Sequence, residues 1–416
     1  MLTNFNLTQF IKRHVTGRQQ SLLKLDFEKY HNNLSKKING KKVMVIGGAG
    51  TIGSFYIKAI LKFNVVKLVV VDINENGLTE LVRDLRSSTV YNIPEDFITY
   101  PVNFGDRVFE KLFKEHGPFH IVANFAAHKH VRSEKDIFSI EAMIENNVLR
   151  ARKLLDLLLE FPPEHFFCVS TDKAANPVNV MGASKKLMEE LIMSYSDKLP
   201  IKTARFANVA FSNGSLPLGF LDRLNKRQPW SCPLGIRRFF VSPEESGELC
   251  LMASIMGESG DIFFPKLDEE KDMIPFDKIA LALLKELGLE PDICQTEEEA
   301  REKAASVRQF CEEPSNAATS PQSWPIYFFG SDTSGEKSFE EFYTEDEVLD
   351  NESFINLGVI KNSKKRSIEE IDSIFNQLEE LFKKDHITKA EVVNILKSYL
   401  PNFAHIETGK GLDQKM

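Results

Sequence analysis

From residue 41 onward, short apolar runs at 43–46, 68–71, 97–102, 121–125 and 166–169 alternate with amphipathic stretches such as 150–159. Runs this short and rich in β-branched residues, separated by helical segments, predict buried parallel strands joined by crossover helices. That pattern specifies an α/β chain with a doubly wound parallel sheet over 41–210. After about residue 210 the alternation loosens, and Pro217, Pro229, Pro233, Pro243 and Pro265 punctuate the chain. A smaller region over 211–350 is expected to cover the sheet, with a surface excursion near 296–322 that begins as a charged helix and turns Ser, Ala and Pro rich.

Both ends lie outside this frame. Residues 1–40 are polar and basic with scattered apolar positions (Phe10, Ile11, Leu22, Leu23, Leu25, Phe27, Tyr30), suited to one or two short helices closed by Gly40. In the C-terminal stretch 351–416, Ser367 with Glu370 and Thr388 with Glu391 have capping-box spacing before apolar stripes that include Ile371, Phe375, Leu378, Val392 and Leu396. Two extra helices are predicted there, with docking or oligomerisation as their plain reading, and a homo-oligomer is expected.

The 416 residues, 42% hydrophobic and 27% charged, are enough for a sizeable core. A formal charge of −8 and a pI near 5.7 argue against a broad nucleic-acid-binding surface. Cys168, Cys232, Cys250, Cys294 and Cys311 are far apart, with no neighbouring histidine at zinc spacing. No metal site is expected, and a reducing cytoplasm fits. No stretch approaches the roughly 18 apolar residues of a membrane helix.

The first apolar run leads into Gly47-Gly48-Ala49-Gly50-Thr51-Ile52-Gly53, with a helical segment after it. Glycines let a pyrophosphate approach the backbone, and the helix start offers free N–H groups and a positive dipole end. Asp72 ends the second run, 19 positions after Gly53, where an acid accepts hydrogen bonds from an adenosine ribose and repels a 2′-phosphate. NAD is therefore expected rather than NADP, with Arg83 and Arg86 nearby as the counterweight.

The fifth run opens into Ser170-Thr171-Asp172-Lys173-Ala174-Ala175-Asn176-Pro177, then Met181-Gly182-Ala183-Ser184-Lys185. Titratable residues at the carboxyl end of a central strand sit where doubly wound proteins bind ligands. Adjacent Asp172 and Lys173 offer an acid and a base to one bound molecule, although such neighbours on a loop are more often solvated charges.

The stretch 170–185 resembles the active-site signature of the polysaccharide-biosynthesis branch of extended short-chain dehydrogenases, which holds the UDP-N-acetylglucosamine 4,6-dehydratases. Four segments agree in order: Asn124-Phe125-Ala126-Ala127-His128-Lys129-His130-Val131, Glu145-Asn146-Asn147-Val148, Arg205-Phe206-Ala207-Asn208-Val209, and Arg238-Phe239-Phe240-Val241-Ser242-Pro243-Glu244-Glu245. Gly335-Glu336-Lys337 is a fifth. The resemblance covers most of 41–350 and implies a Rossmann domain, bound NAD and a UDP-sugar substrate. It further implies that a hydride leaves sugar C4, water is eliminated across C5 and C6, and the hydride returns to C6. Lys173 would take the C5 proton, Asp172 would protonate the departing hydroxyl, and Thr171 would bond the C4 hydroxyl. Lys185 would contact the nicotinamide ribose, and Gly47, Gly50, Thr51, Ile52, Gly53, Asp72, Ala126, Ala127 and Asn147 would complete the cofactor site. His128, Lys129, Asn208, Ser215 and Arg238 would face the sugar nucleotide.

One position departs from the superfamily, whose tyrosine base four residues before the lysine is replaced by Met181. A thioether takes no proton. The methionine-bearing subset resembles enzymes that keep the C5 configuration, so a C5-retaining dehydratase producing a UDP-4-keto-6-deoxy-N-acetylhexosamine for surface glycans is expected. Two other readings stay open, a nucleotide-sugar 4-epimerase and a non-catalytic NAD or sugar-nucleotide sensor.

Overall fold

The computed structural model describes residues 5–312, 321–330, 341–361, 363, 365–405 and 407. The apolar runs form β1 (Lys42–Ile46), β2 (Lys67–Asp72), β3 (Asp96–Pro101), β4 (Ile121–Asn124) and β5 (His165–Val169), followed by β6 (Ile201–Ala204). They pair in parallel in the order 3-2-1-4-5-6, giving the doubly wound Rossmann arrangement. All of β4 and β6, and all but the first residue of β1 and β5, are buried, which is why β1 and most of β4 and β5 read as apolar runs, while β6 buries Lys202 and Thr203 as well.

Further along lie β7 (Asn208–Val209), β8 (Trp230–Pro233), β9 (Arg237–Val241), β10 (Asp261–Pro265), β11 (Met273–Pro275), β12 (Glu290–Cys294), β13 (Ser323–Phe329), β14 (Val348–Asp350) and β15 (Leu357–Lys361). β10 extends the parallel sheet beside β6, and β15 then β14 add antiparallel edges to make nine strands. Two three-stranded sheets, β11-β9-β7 and β12-β13-β8, make up the smaller region.

Two stretches differ from the sequence pattern. The segment near 296–322 is more than an excursion: its helix runs from Glu297 to Glu312 and is the crossover between parallel β12 and β13. The buried face of that helix is only Ala300 and Ala304, too small to announce an amphipathic helix. Residues 313–320 lie outside the described residues. The stretch from 351 is also not only helical, because β15 belongs to the main sheet.

The N-terminal forty residues contribute to two cores. Phe10, Ile11 and Val15 pack with Trp230, Phe240 and Trp324, whereas Leu23, Leu34 and Ile38 join the main-sheet core. Buried Asp26 fastens the second segment by accepting from the backbone N–H groups of Ile355 (2.7 Å) and Asn356 (2.8 Å). The C-terminal helices Ile368–Phe382 and Lys389–Tyr399 form with both expected capping boxes. Their apolar stripes lie in the same core as the sheet. Among the described residues no helix is long and apolar enough to cross a membrane, and no cluster of side chains is set up to hold a metal.

The strand order reverses at β1 and β4, and doubly wound sheets open a ligand crevice at the carboxyl ends of such strands.

Candidate active site

The glycine turn after β1 shows what each glycine is for. Gly47 has φ +75, and a Cβ there would lie 2.5 Å from Ala126 N. A Cβ on Gly53 would lie 2.3 Å from Gly47 O. Both are required by the fold. Gly50 differs: its φ is −73, and a Cβ would meet nothing nearer than Gly47 O at 3.5 Å. Neither backbone nor packing demands glycine there, which leaves close approach by a ligand as its reason. The helix that follows, Thr51–Ile60, has no side-chain N-cap, so the dipole end faces the cleft unoccupied by protein carboxylate or hydroxyl. Asp72 accepts from Ala49 N and Asn74 N, both at 2.9 Å, one on each oxygen. It thus ties the glycine turn to β2 while lining the same cleft, with lone pairs left for ribose hydroxyls.

This cleft, about 200 Å³, is lined by Gly47, Gly50, Thr51, Ile52, Gly53, Asp72, Ala126, Ala127, His128 and Lys129. A second cavity of about 210 Å³ shares Ile52, Phe125, Ala127 and Lys129 with it and reaches Thr171, Asp172, Lys173, Met181, Lys185, Asn208 and Ser215. The cleft at the glycine turn and the cavity at the end of β5 therefore adjoin one another through shared walls.

At the end of β5 the chain turns through a short 3-10 segment, Asp172–Ala174. Asp172 Oδ1 accepts three bonds there, from Thr171 Oγ1 (2.7 Å), Lys173 N (2.9 Å) and Lys173 Nζ (3.0 Å). The Asp172 side chain is 3% exposed and that of Lys173 20%, so the pair faces the cavity. Gly182 lets the helix Val180–Ser194 sit directly on this turn, since a Cβ there would lie 2.7 Å from Lys173 O. Met181 on that helix is 2% exposed and presents an apolar wall. Lys185 donates to Val169 O at 2.6 Å, and its burial pushes its pKa below the usual lysine value. Burial likewise lowers Lys129, and it lowers His128 with a smaller contribution from Arg150.

Behind the turn is a charge network that the sequence pattern did not expose. Arg205, fully buried, donates to Glu189 through Nε (2.9 Å) and Nη2 (2.5 Å), to Glu347 through Nη1 and Nη2 (both 2.8 Å), and to Phe342 O (3.0 Å). Burial alone would raise the Glu189 pKa, but Arg205 and Lys186 hold it well below the carboxylate range. Glu189 also accepts from Ser170 Oγ at 3.0 Å, anchoring the residue before Thr171. Arg205 lies in the segment Arg205-Phe206-Ala207-Asn208-Val209, but its partner Glu189 is 16 positions away, a separation that leaves no periodic signal in the sequence.

Two expected site residues are placed elsewhere. Asn147 is buried behind the cleft and its amide is committed to the fold, accepting from His128 N (2.8 Å) and donating to His128 O (2.9 Å) and Ser184 Oγ (3.1 Å). Arg238 lines neither cavity; it is buried on β9 and donates to Arg237 O at 2.8 Å. Ser215 lines the cavity but serves as N-cap of the helix Leu216–Asn225. Asn208 Nδ2, by contrast, is buried in the cavity wall with no hydrogen-bond partner among the described residues, a donor in want of an acceptor. Gly335-Glu336-Lys337 lies outside the described residues. A larger hollow of about 540 Å³ beside Leu7, Lys58 and Pro243 carries less chemistry, because Lys58 is paired with Asp84 (2.6 Å) and Lys62 with Glu248 (3.0 Å).

Comparison with known proteins places the chain in a family. The chain is 33% identical over 251 residues to an uncharacterised membrane protein of Methanocaldococcus jannaschii, covering 58% of this chain and 72% of that one. It is 28% identical to the capsular polysaccharide biosynthesis protein CapD of Staphylococcus aureus over 55% of this chain, and spans only 38% of that protein. It is 27% identical to the UDP-N-acetylglucosamine 4,6-dehydratase (inverting) of Campylobacter jejuni, over 56% of this chain and 69% of that enzyme. Among solved structures, Pen from Bacillus thuringiensis superposes with a TM-score of 0.60 at 20% identity, over 82% of this chain and 99% of that one, a likeness of fold. Residues 43–362 match the family model described as polysaccharide biosynthesis protein, and the chain belongs to that family, a branch of the extended short-chain dehydrogenases.

Proposed function

We propose that the protein is an NAD-dependent 4,6-dehydratase of UDP-N-acetylglucosamine. The observation that carries this reading is the meeting of the Thr171 hydroxyl, the Lys173 ammonium and the Asp172 carboxylate at one oxygen, in a cavity adjoining a dinucleotide cleft. The named dehydratase relative and the family membership support the same reaction class.

The cleft fits NAD in its open cradle at Gly50, its uncapped helix start and the Asp72 carboxylate, which disfavours a 2′-phosphate. When bound, NAD would supply reversible hydride acceptance, taking one from sugar C4 and returning one to C6. The chain's own residues handle protons. The C4 hydroxyl proton passes through Thr171 Oγ1 to Asp172 Oδ1, making the carboxylic acid, while Lys173, whose Nζ lies 3.0 Å from the same oxygen, acts as a neutral amine. The amine then takes the C5 proton, acidic beside a C4 ketone, and the carboxylic acid protonates the departing C6 hydroxyl. Thr171 Oγ1, 2.7 Å from Asp172 Oδ1, thereby takes the place of a tyrosine in relaying the C4 proton, which leaves with the C6 hydroxyl as water. Asn208 Nδ2 has its acceptor in a diphosphate oxygen.

Met181 offers no group that exchanges a proton, so we infer that Lys173, which takes the C5 proton, returns it to C5 on the face it left. The C. jejuni relative is named as inverting, which makes product stereochemistry the sharper measurement. Incubation with UDP-N-acetylglucosamine and mass spectrometry should show loss of one water, and proton NMR of fresh product should show retained C5. An isomer of unchanged mass would mean an epimerase, and no product at all would mean a binding protein; either overturns the reading.

A further inference from the structure

Met181 N–H is the second amide of the helix Val180–Ser194, one of the groups that a helix start leaves without an internal partner. Asn179 caps the third amide, Gly182 N, at 2.7 Å, but the acceptor for Met181 N comes from outside: Glu134 Oε1 at 3.1 Å. A carboxylate at the positive end of a helix is well placed electrostatically. Glu134 also closes the 3-10 turn Val131–Glu134, directly after Lys129 and His130, which line the cavity. One side chain therefore joins two walls of the site.

That carboxylate is buried, with 7% of its side chain exposed, and its positive neighbours belong to the far end of the chain. Lys389 Nζ and His405 Nε2 each lie 3.6 Å from Glu134 Oε2, an ion-pair separation longer than a hydrogen bond. Lys389 is held in turn by Glu407 at 2.6 Å. Ala404 N donates to Pro177 O at 3.1 Å, so the same segment also binds the loop between Lys173 and Met181, and Leu400 and Phe403 anchor it in the core.

We propose that the C-terminal segment from Lys389 to Glu407 is a working part of the active site. Through Glu134 and Pro177 it sets the position of Met181 and of the loop following Lys173, with Glu134, Lys389 and His405 as positioning residues. The proposal rests on the dehydratase reading only for its activity readout. The carboxylate bridges the helix start and the cavity wall, and the C-terminal side chains of Lys389 and His405 hold it in place at low solvent exposure.

The test uses the full chain with Lys389→Met, His405→Phe, Glu134→Gln and Glu134→Ala. Steady-state turnover of UDP-N-acetylglucosamine, NAD titration, thermal melting and hydrogen exchange of peptides covering 174–183 are measured for each. Lys389→Met and His405→Phe should lower kcat by about tenfold with NAD affinity nearly unchanged, as misplacement of reacting groups does. Exchange across 174–183 should quicken in both. Glu134→Gln, which still offers an oxygen to Met181 N–H, should keep more activity than Glu134→Ala. Wild-type exchange across 174–183 in the Lys389 and His405 variants would overturn the proposal whatever the substrate proves to be. So would activity that falls only in step with the melting temperature. Absence of dehydration by the unmodified protein would instead sink the functional reading, and the exchange comparison would still decide the positioning role.

Discussion

At Gly50 an added methyl group meets nothing closer than 3.5 Å and the backbone needs no glycine, so Gly50→Ala should leave thermal stability close to that of the parent. NAD affinity should fall by about tenfold or more, the scale of one displaced backbone contact to phosphate. Gly53→Ala behaves oppositely: its Cβ falls 2.3 Å from Gly47 O, and overpacking of this kind destabilises by about 1–3 kcal/mol. Calorimetric NAD titration beside thermal melts separates the two, and an unchanged affinity in Gly50→Ala would remove the cofactor from that turn. In the neighbouring cavity, Thr171→Val deletes the hydroxyl bonded to Asp172 at 2.7 Å, whereas Met181→Ala trims an apolar wall. The first should lower kcat by about two orders of magnitude and the second much less. Equal losses would show that Met181 does more than line the cavity.

Adjacent β5 and β6 carry a basic pair, half-buried His165 and buried Lys202, with Lys202 Nζ 3.1 Å from His165 Nδ1. Burial, then the charge of Lys202, pushes His165 from its ordinary 6.5 down to about 4. Burial, then Lys37, lowers Lys202 to about 8, so the two effects reinforce each other. Between pH 4 and 6.5 the unfolded chain takes a proton that folded His165 refuses. The contribution of His165 to stability should therefore be fully present above pH 6.5 and be lost as pH falls toward 4. Urea unfolding across that window should show a flatter slope for His165→Gln, which keeps an acceptor for Lys202. An identical slope would place the acid sensitivity elsewhere.

Arg205 joins β6, the helix Val180–Ser194 and the segment at 342–347 into one body. Arg205→Met leaves Glu189 and Glu347 buried without their shared cation, which should cost roughly 3–5 kcal/mol, the usual penalty for breaking a buried ion pair on one side. Urea denaturation measures it directly. A loss below about 1 kcal/mol, typical of an exposed pair, would mean that water reaches the network.

The strand order and the cofactor turn were legible because their signals are local: strand, glycine turn, helix and acid follow one another along the chain, and burial on both faces writes itself as unbroken apolar runs. The capping boxes at Ser367 and Thr388 were legible for the same reason, since donor and acceptor lie three residues apart. The active-site turn showed its residue types but not their use. Asn147 and Arg238 stand in the expected segments, yet the fold commits the amide of Asn147 to the backbone of His128 and seats Arg238 on β9, away from both cavities. Glu134 bonds an amide 47 positions away, and Arg205 a carboxylate 142 positions away. Such pairings leave no periodicity in the sequence. A buried charge needs a partner in space, and only the tertiary fold decides which part of the chain supplies it.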